Sequence, residues 1–290
     1  MERELWSLLY DIATKLDKPW GSWKYSTADI VVVYFWCVVN DRPMCWGVNK
    51  ANWPEELCPR RLPPQSTLSR RMRRSDAEQL MTEIEHTWWV AMAGVCQFLI
   101  RMIDGKPLAV SGVTKDKDAG YGRGAGGMQK GYKLHAVWAT GPLPVAWGLA
   151  PMNRSEKTMA RQLIPSLPGG GYLLADAEFD CNALYDLAHD AGHQLIAPKR
   201  QKKHGLGHRP QSPYRLRSIE LMKHRFGKTL YRFRRQIERD FGNLVSFGGG
   251  LTCLPAWARR FTRVRNWVQA KLLVNAARWF RNHPAMLAFA

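Results

Sequence analysis

The segment GGGYLLADAEFDCNALYDLAHDAGHQLIAPKR, residues 169–200, decides the fold. Three glycines precede a short apolar run that stops at a carboxylate, Asp176. CNALYDLAHDAG then carries apolar residues at helical spacing and closes on Gly192, the residue type that most readily takes the left-handed backbone of a helix end. HQLIAPKR is a second apolar run of strand length. Strand, helix and strand in close succession point to an α/β sheet layered with helices. A carboxylate at the end of a strand lies at the sheet edge where open α/β sheets place their sites.

Reading outward from that segment extends the sheet. FLIRMIDG (98–105) is short and apolar and reads as a strand ending in Asp104 before Gly105. YKLHAVWAT (132–140) alternates, and PLPVAWGLAP (142–151) follows after Gly141, a pattern expected of a hairpin. SEKTMARQLIPSL (155–167) reads as a helix. Downstream, KRQKKHGLGHRPQSPYRLRS is basic, contains Gly and Pro and has few apolar residues, so a loop or insertion is expected over about 199–228. YRFRRQIERDFGNL (231–244) reads as helix, and RRFTRVRNWVQAKLLVNAARWFRN as a closing amphipathic basic helix.

The chain before about residue 96 has helical patterning only. STADIVVVYFWCVVN opens with an N-cap candidate, Ser26. In PPQSTLSRRMRR, Ser66 is the expected cap of a short helix whose exposed side carries Arg70, Arg71, Arg73 and Arg74. SDAEQLMTEIEHTWWVAMAGV reads as a long helix capped by Ser75, with acidic residues in the first turn where the helix dipole favours them. The expected division is a helical, helix-turn-helix-like region over 1–96 and an α/β domain over 97–284. No internal repeats are present.

Composition narrows the partners. The 290 residues carry a formal net charge of +19, which points to a polyanion, with nucleic acid ahead of an anionic membrane surface. The most apolar stretch, IVVVYFWCVV (30–39), is too short to span a bilayer. MERELWSLLYDIATKLDK reads as an amphipathic helix and not as a signal peptide. Six scattered cysteines without CxxC or CxxH spacing argue against zinc and for a reduced, cytoplasmic chain with mostly buried thiols.

Three acidic positions then stand out: Asp104, Asp176 and Glu238. Two aspartates on neighbouring strand ends would lie close together, and a helix packed across that edge could add a third carboxylate. Mg²⁺ takes such hard oxygen ligands, and paired ions stabilise attacking and leaving oxygens in displacement at phosphorus. Tyr231, Arg234 and Glu238 are spaced three and then four apart, on one helical face, with Phe233, Ile237 and Phe241 as the adjoining core stripe. Plainer readings stand beside these. An Asp-Gly pair often marks a turn. Glu238 could serve only in surface ion pairs with Arg234 or Arg235, worth about 0.3–0.5 kcal/mol each. Near Asp176, Glu178 is a secondary ligand candidate and Asp180 the expected cap of the next helix. His135, His189 and His193 read as structural, and Trp138 or Trp147 are candidates for stacking on an unpaired base.

The blocks IDGKPLAVSG, YLLADAEFDCNALYDLAHDAGHQLIAPKR and YRFRRQIERDFGNL, in that order, resemble those of bacterial insertion-sequence transposases with a DDE triad, members of the ribonuclease-H-like (retroviral-integrase-like) superfamily. PPQSTLSRRMRR resembles the N-terminal helical region of that family. The resemblance covers most of the chain from about residue 25. It implies a ribonuclease-H-like mixed sheet flanked by helices, preceded by an all-helical DNA-binding region. It implies Asp104, Asp176 and Glu238 as catalytic ligands of two Mg²⁺ (or Mn²⁺) ions, with Tyr231 and Arg234 on the DNA end. Double-stranded DNA at element ends and target is the implied partner, bound by a homodimer or higher assembly at the bacterial nucleoid. Arg70, Arg71, Arg73 and Arg74 are the expected helix-turn-helix-like DNA contacts, and Arg235 with the loop cations Lys199, Arg200, Lys202 and Lys203 the expected phosphate contacts. Many relatives carry a basic residue seven positions after the glutamate; here it is Val245. The rival readings are a ribonuclease-H-like nuclease without strand transfer and a non-catalytic, transposase-derived DNA-binding protein.

Overall fold

The computed structural model describes residues 2–18, 23–93, 99–110, 115–124, 126–201, 205–206, 208–246 and 250–289. Helices α1 (Glu2–Leu16), α2 (Thr27–Val39), α3 (Met44–Gly47), α4 (Gln65–Arg71) and α5 (Ser75–Ala93) come first. Strands β1 (Ile100–Ala109), β2 (Gly120–Gly124), β3 (Gly127–Trp138) and β4 (Ala146–Pro151) follow. Helix α6 (Glu156–Leu163), β5 (Gly171–Leu174), α7 (Asn182–Asp190) and β6 (His193–Ile196) complete the sheet region. The chain ends in α8 (Pro213–Lys223), α9 (Arg225–Arg232), α10 (Arg235–Ser246) and α11 (Phe261–Asn282). Two compact units result: residues 1–94 with 243–290, and residues 95–242. The expected domain of 97–284 therefore differs from the compact unit at its C-terminal end, where α11 packs with α1, α2 and α5.

In the helical unit, α2 is the centre. All but one of its residues are buried, because IVVVYFWCVV is apolar on every face. Its start is the expected one: Ser26 Oγ accepts from Asp29 N at 2.9 Å, and Asp29 accepts from Ser26 N at 2.8 Å, a reciprocal capping box. Helix α4 begins instead at Gln65 after Pro64, which removes Ser66 as a cap. Arg70, Arg73 and Arg74 are exposed, but Arg71 is buried. Its guanidinium donates to Tyr25 O at 3.1 Å, Thr27 Oγ1 at 3.2 Å and Asp76 Oδ2 at 3.0 Å. The expectation of an exposed Arg71 is thus corrected: it pins α4 to α2 and α5. Of the described cysteines only Cys37 is buried, while Cys45 and Cys253 are exposed, so the expectation of mostly buried thiols fails. Among the described residues no helix is long and apolar enough to cross a membrane.

The second unit is a mixed α/β sheet in the order β2-β3-β1-β5-β6, with β4 on β3. β1 is antiparallel to β3 and parallel to β5, and β5 is parallel to β6. The hairpin of β3 and β4 is as expected. Strand β2 was not anticipated, since GYGRG has no apolar alternation; it forms by pairing with the start of β3. One face of the sheet packs on α6 and α7 through Ile103, Val137, Leu173, Leu195, Ala160, Leu163, Leu184 and Tyr185. Helix α7 ends as expected, with Gly192 at φ +80°. The basic stretch over 199–228 is only in part a loop, because α8 and the start of α9 occupy residues 213–228.

Candidate active site

The site lies where β1 and β5 part. Their parallel pairing stops at Met102 and Leu174, and Asp104 and Asp176 each come two residues later, so the register sets them at one level. Asp104 is not at a strand end, as expected, but within β1, which runs on to Ala109 against β3. The Asp-Gly pair and Pro107 disguise that continuation. A proline is tolerated there because β1 has lost β5 and is an edge strand on that side. Asp176 caps a single 3₁₀ turn, its Oδ1 accepting from Glu178 N at 2.8 Å.

A third carboxylate joins them, and it is Glu156 at the start of α6. Asp104, Glu156 and Asp176 each present one oxygen, all within 4.8 Å of one another. Glu156 is held by Lys133 of β3, Nζ to Oε1 2.8 Å. Nothing in the sequence pattern singles it out, since a glutamate in the first turn of a helix is ordinary. Its approach depends on Gly105: a Cβ there would lie 3.2 Å from Glu156 Oε1 and 2.8 Å from Lys133 Cδ.

Glu238 reaches the cluster through Arg234. Arg234 donates from Nη2 to Asp104 Oδ2 at 2.9 Å, and its Nη1 lies 3.6 Å from Glu238 Oε1. Residues 231–244 are two helices, with Phe233 and Arg234 in the turn between α9 and α10. The break places Glu238 in the first turn of α10, its side chain 68% exposed. Ile237 and Phe241 are buried as expected, and Phe241 meets Trp138 edge-on, centroids 6.2 Å apart. Phe233, expected in the core, is exposed, because the turn swings it off the stripe. Tyr231 donates its hydroxyl to Ala175 O at 3.1 Å, one residue before Asp176.

The other candidates divide. Arg235 and Arg200 are exposed, and Arg200 pairs with Glu178 at 3.3 Å. Lys199 is half-buried, and Lys202 and Lys203 lie outside the described residues. Asp180 is not a cap: it is buried, binds Arg215 through both oxygens at 2.7 Å and accepts from Arg200 N at 3.0 Å. Trp138 is fully buried in the core, which removes it as a base-stacking surface. His189 stacks on Tyr214 at 3.6 Å, as a structural residue does. His135 is buried, and burial first, then Lys133, pushes its imidazole down to about 4. Val245 is half-buried near the end of α10.

The electrostatics suit a cation. Asp104 is pushed up to about 6, mainly by burial, with Asp176 and Glu156 adding to the rise and the Gly105 N–H and Arg234 opposing it. Burial also raises the Tyr231 hydroxyl. Three hard oxygen donors within 4.8 Å match what Mg²⁺ or Mn²⁺ takes from protein, and the Arg234 guanidinium stands against Asp104 as a cation would. The residues present therefore fit a divalent ion.

A family model described as a transposase DDE domain matches residues 97–270, more than half of the chain. Comparisons with curated proteins and with solved structures returned no match.

Proposed function

The chain belongs to the transposases with a DDE domain, and on that premise we propose that it binds the terminal inverted repeats of an insertion sequence and cuts and joins DNA. The observation that carries the reading is the meeting of Asp104 and Asp176 at the parting of β1 and β5, in a chain of net charge +19. Asp104, Asp176 and Glu238 would hold two Mg²⁺ or Mn²⁺ ions. Bound there, the ions would supply Lewis-acid activation of water or a 3′-hydroxyl and neutralise charge at the phosphate.

The chain's own residues do the positioning. Arg234 bridges Asp104 and Glu238 and would be a cation available to a phosphate entering the site. Exchanging the Asp104 carboxylate for a phosphate oxygen would keep its charge-assisted hydrogen bond from Nη2. Tyr231 is fixed by Ala175 O and borders the same space. Arg235, Arg200 and the loop cations near it would follow the phosphate backbone. Arg70, Arg73 and Arg74, exposed around the end of α4, would contact the element end. Both reaction steps are in-line displacements at phosphorus and need no covalent protein–DNA intermediate. Two ends must be handled together, so a dimer or higher assembly on DNA is part of the reading. A nucleoid location follows from the charge.

The test is a strand-transfer assay with paired element ends and Mg²⁺. Joining supports the transposase, cutting alone supports a nuclease, and binding alone a DNA-binding protein. Asp104→Ala should abolish cutting and leave DNA binding intact. If it cuts as well as the parent, the site is assigned to the wrong residues.

A further inference from the structure

We propose that Glu156 is a further carboxylate of the metal centre, set in place by Lys133, so that the DNA-free chain offers an ion Asp104, Asp176 and Glu156. The inference rests on the metal-dependent reading above and adds to it a residue outside the three that the resemblance implies.

A glutamate in the first turn of a helix ordinarily faces solvent. Glu156 is turned inward instead, its side chain 19% exposed, with its Lys133 partner at 15%. An ion pair with Lys133 accounts for one Glu156 oxygen. It does not account for a carboxylate brought within 4.8 Å of Asp104 and Asp176, where like charges repel. Gly105 eases that approach, since a Cβ there would lie 2.8 Å from Lys133 Cδ and 3.2 Å from Glu156 Oε1, and both side chains would have to give way. The local charges point the same way. Asp104, Asp176 and Glu156 are three formal negative charges against the two positive ones of Lys133 and Arg234, so the DNA-free cluster keeps a net negative charge that a cation would neutralise. Glu238, meanwhile, is separated from Asp104 by the Arg234 guanidinium, so Glu156 is the third carboxylate at hand before DNA arrives.

The experiment is Mn²⁺ binding to the full DNA-free chain, followed by electron paramagnetic resonance of free Mn²⁺ and by calorimetry. Glu156→Gln should weaken binding by about tenfold or more, the scale of losing a group that tunes a metal site. Glu220→Gln, at an exposed carboxylate of α8 paired with Lys223, should leave it near the parental value. Glu156→Asp keeps the charge and shortens the side chain by one methylene, so it serves if the Gln variant does not fold; it should also weaken binding. Parental Mn²⁺ affinity in a folded Glu156→Gln or Glu156→Asp variant overturns the inference. Asp104→Asn separates the two readings: if it loses Mn²⁺ while the Glu156 variants do not, only the role of Glu156 fails. If Asp104→Asn also binds like the parent, the metal centre itself is misplaced.

Discussion

Asp104→Asn should stabilise the metal-free chain at neutral pH and end its response to Mg²⁺. Burial chiefly, with Asp176 and Glu156 contributing, lifts the Asp104 carboxyl from its ordinary 3.8 to about 6. The native state therefore keeps a proton that the unfolded chain has lost. The stability this group contributes is full below its unfolded value and is lost as pH rises through about 6. A shift of about two units at about 1.4 kcal/mol each makes the ionised carboxylate cost about 3 kcal/mol at neutral pH. The side chain is only 21% exposed, so solvent screening leaves most of that in place. Asparagine resembles the protonated carboxyl in shape and removes the penalty. For a unit of this size, about 3 kcal/mol is on the order of 5–10 °C in melting temperature. The assay is circular-dichroism melting of chelator-treated protein across the acid-to-neutral range. Parent and variant should coincide at about pH 4, separate progressively between about pH 4 and pH 6, and stay fully separated above that, the variant melting higher. Excess Mg²⁺ should then raise the parent by mass action and leave the variant unmoved. If the variant melts no higher than the parent at neutral pH without metal, the reasoning about a crowded, cation-poor site is refuted.

Three further outcomes follow from the same structure. Arg71→Met removes the nearer and buried cation of Asp76, leaving only the exposed Arg74 at 3.6 Å, and should cost about 3 kcal/mol, read as a large fall in melting temperature, whereas Arg70→Ala and Arg73→Ala should leave melting unchanged and weaken DNA binding. Asp180→Ala strips Arg215 of a bidentate, largely buried partner and should destabilise by a similar amount, measured by urea unfolding, with Glu178→Ala as the silent control. Replacing Arg200 and Arg235 by Ala should lower the slope of log affinity against log salt by about 0.9 per lost contact, measured by fluorescence anisotropy on duplex DNA; an unchanged slope would place the DNA path elsewhere.

The site was legible in part. Asp104 and Asp176 are visible because an apolar run ending on a carboxylate is rare in a strand unless chemistry or a turn requires it. Glu156 was not, because nothing about a glutamate at a helix start marks it; only the fold turns it inward past Gly105. Arg71 shows the opposite case. In RRMRR all four arginines look alike, and only packing decides that one is buried against Asp76 while its neighbours stay in water. Phe233 left the core stripe because the helix read across residues 231–244 breaks into α9 and α10 at Phe233–Arg234, a turn with no glycine or proline to announce it.

Local pattern in the chain determined the element types, the βαβ order around Asp176, the buried α2, the Ser26 capping box and the cationic excess, since each depends on neighbours within a few positions or on composition alone. Tertiary structure decided the register that levels Asp104 with Asp176, the strand β2, the company of Glu156 and the bridge of Arg234 between Asp104 and Glu238. Those depend on residues far apart in sequence, whose meeting is set by strand pairing and close approach and leaves no periodic trace in the chain.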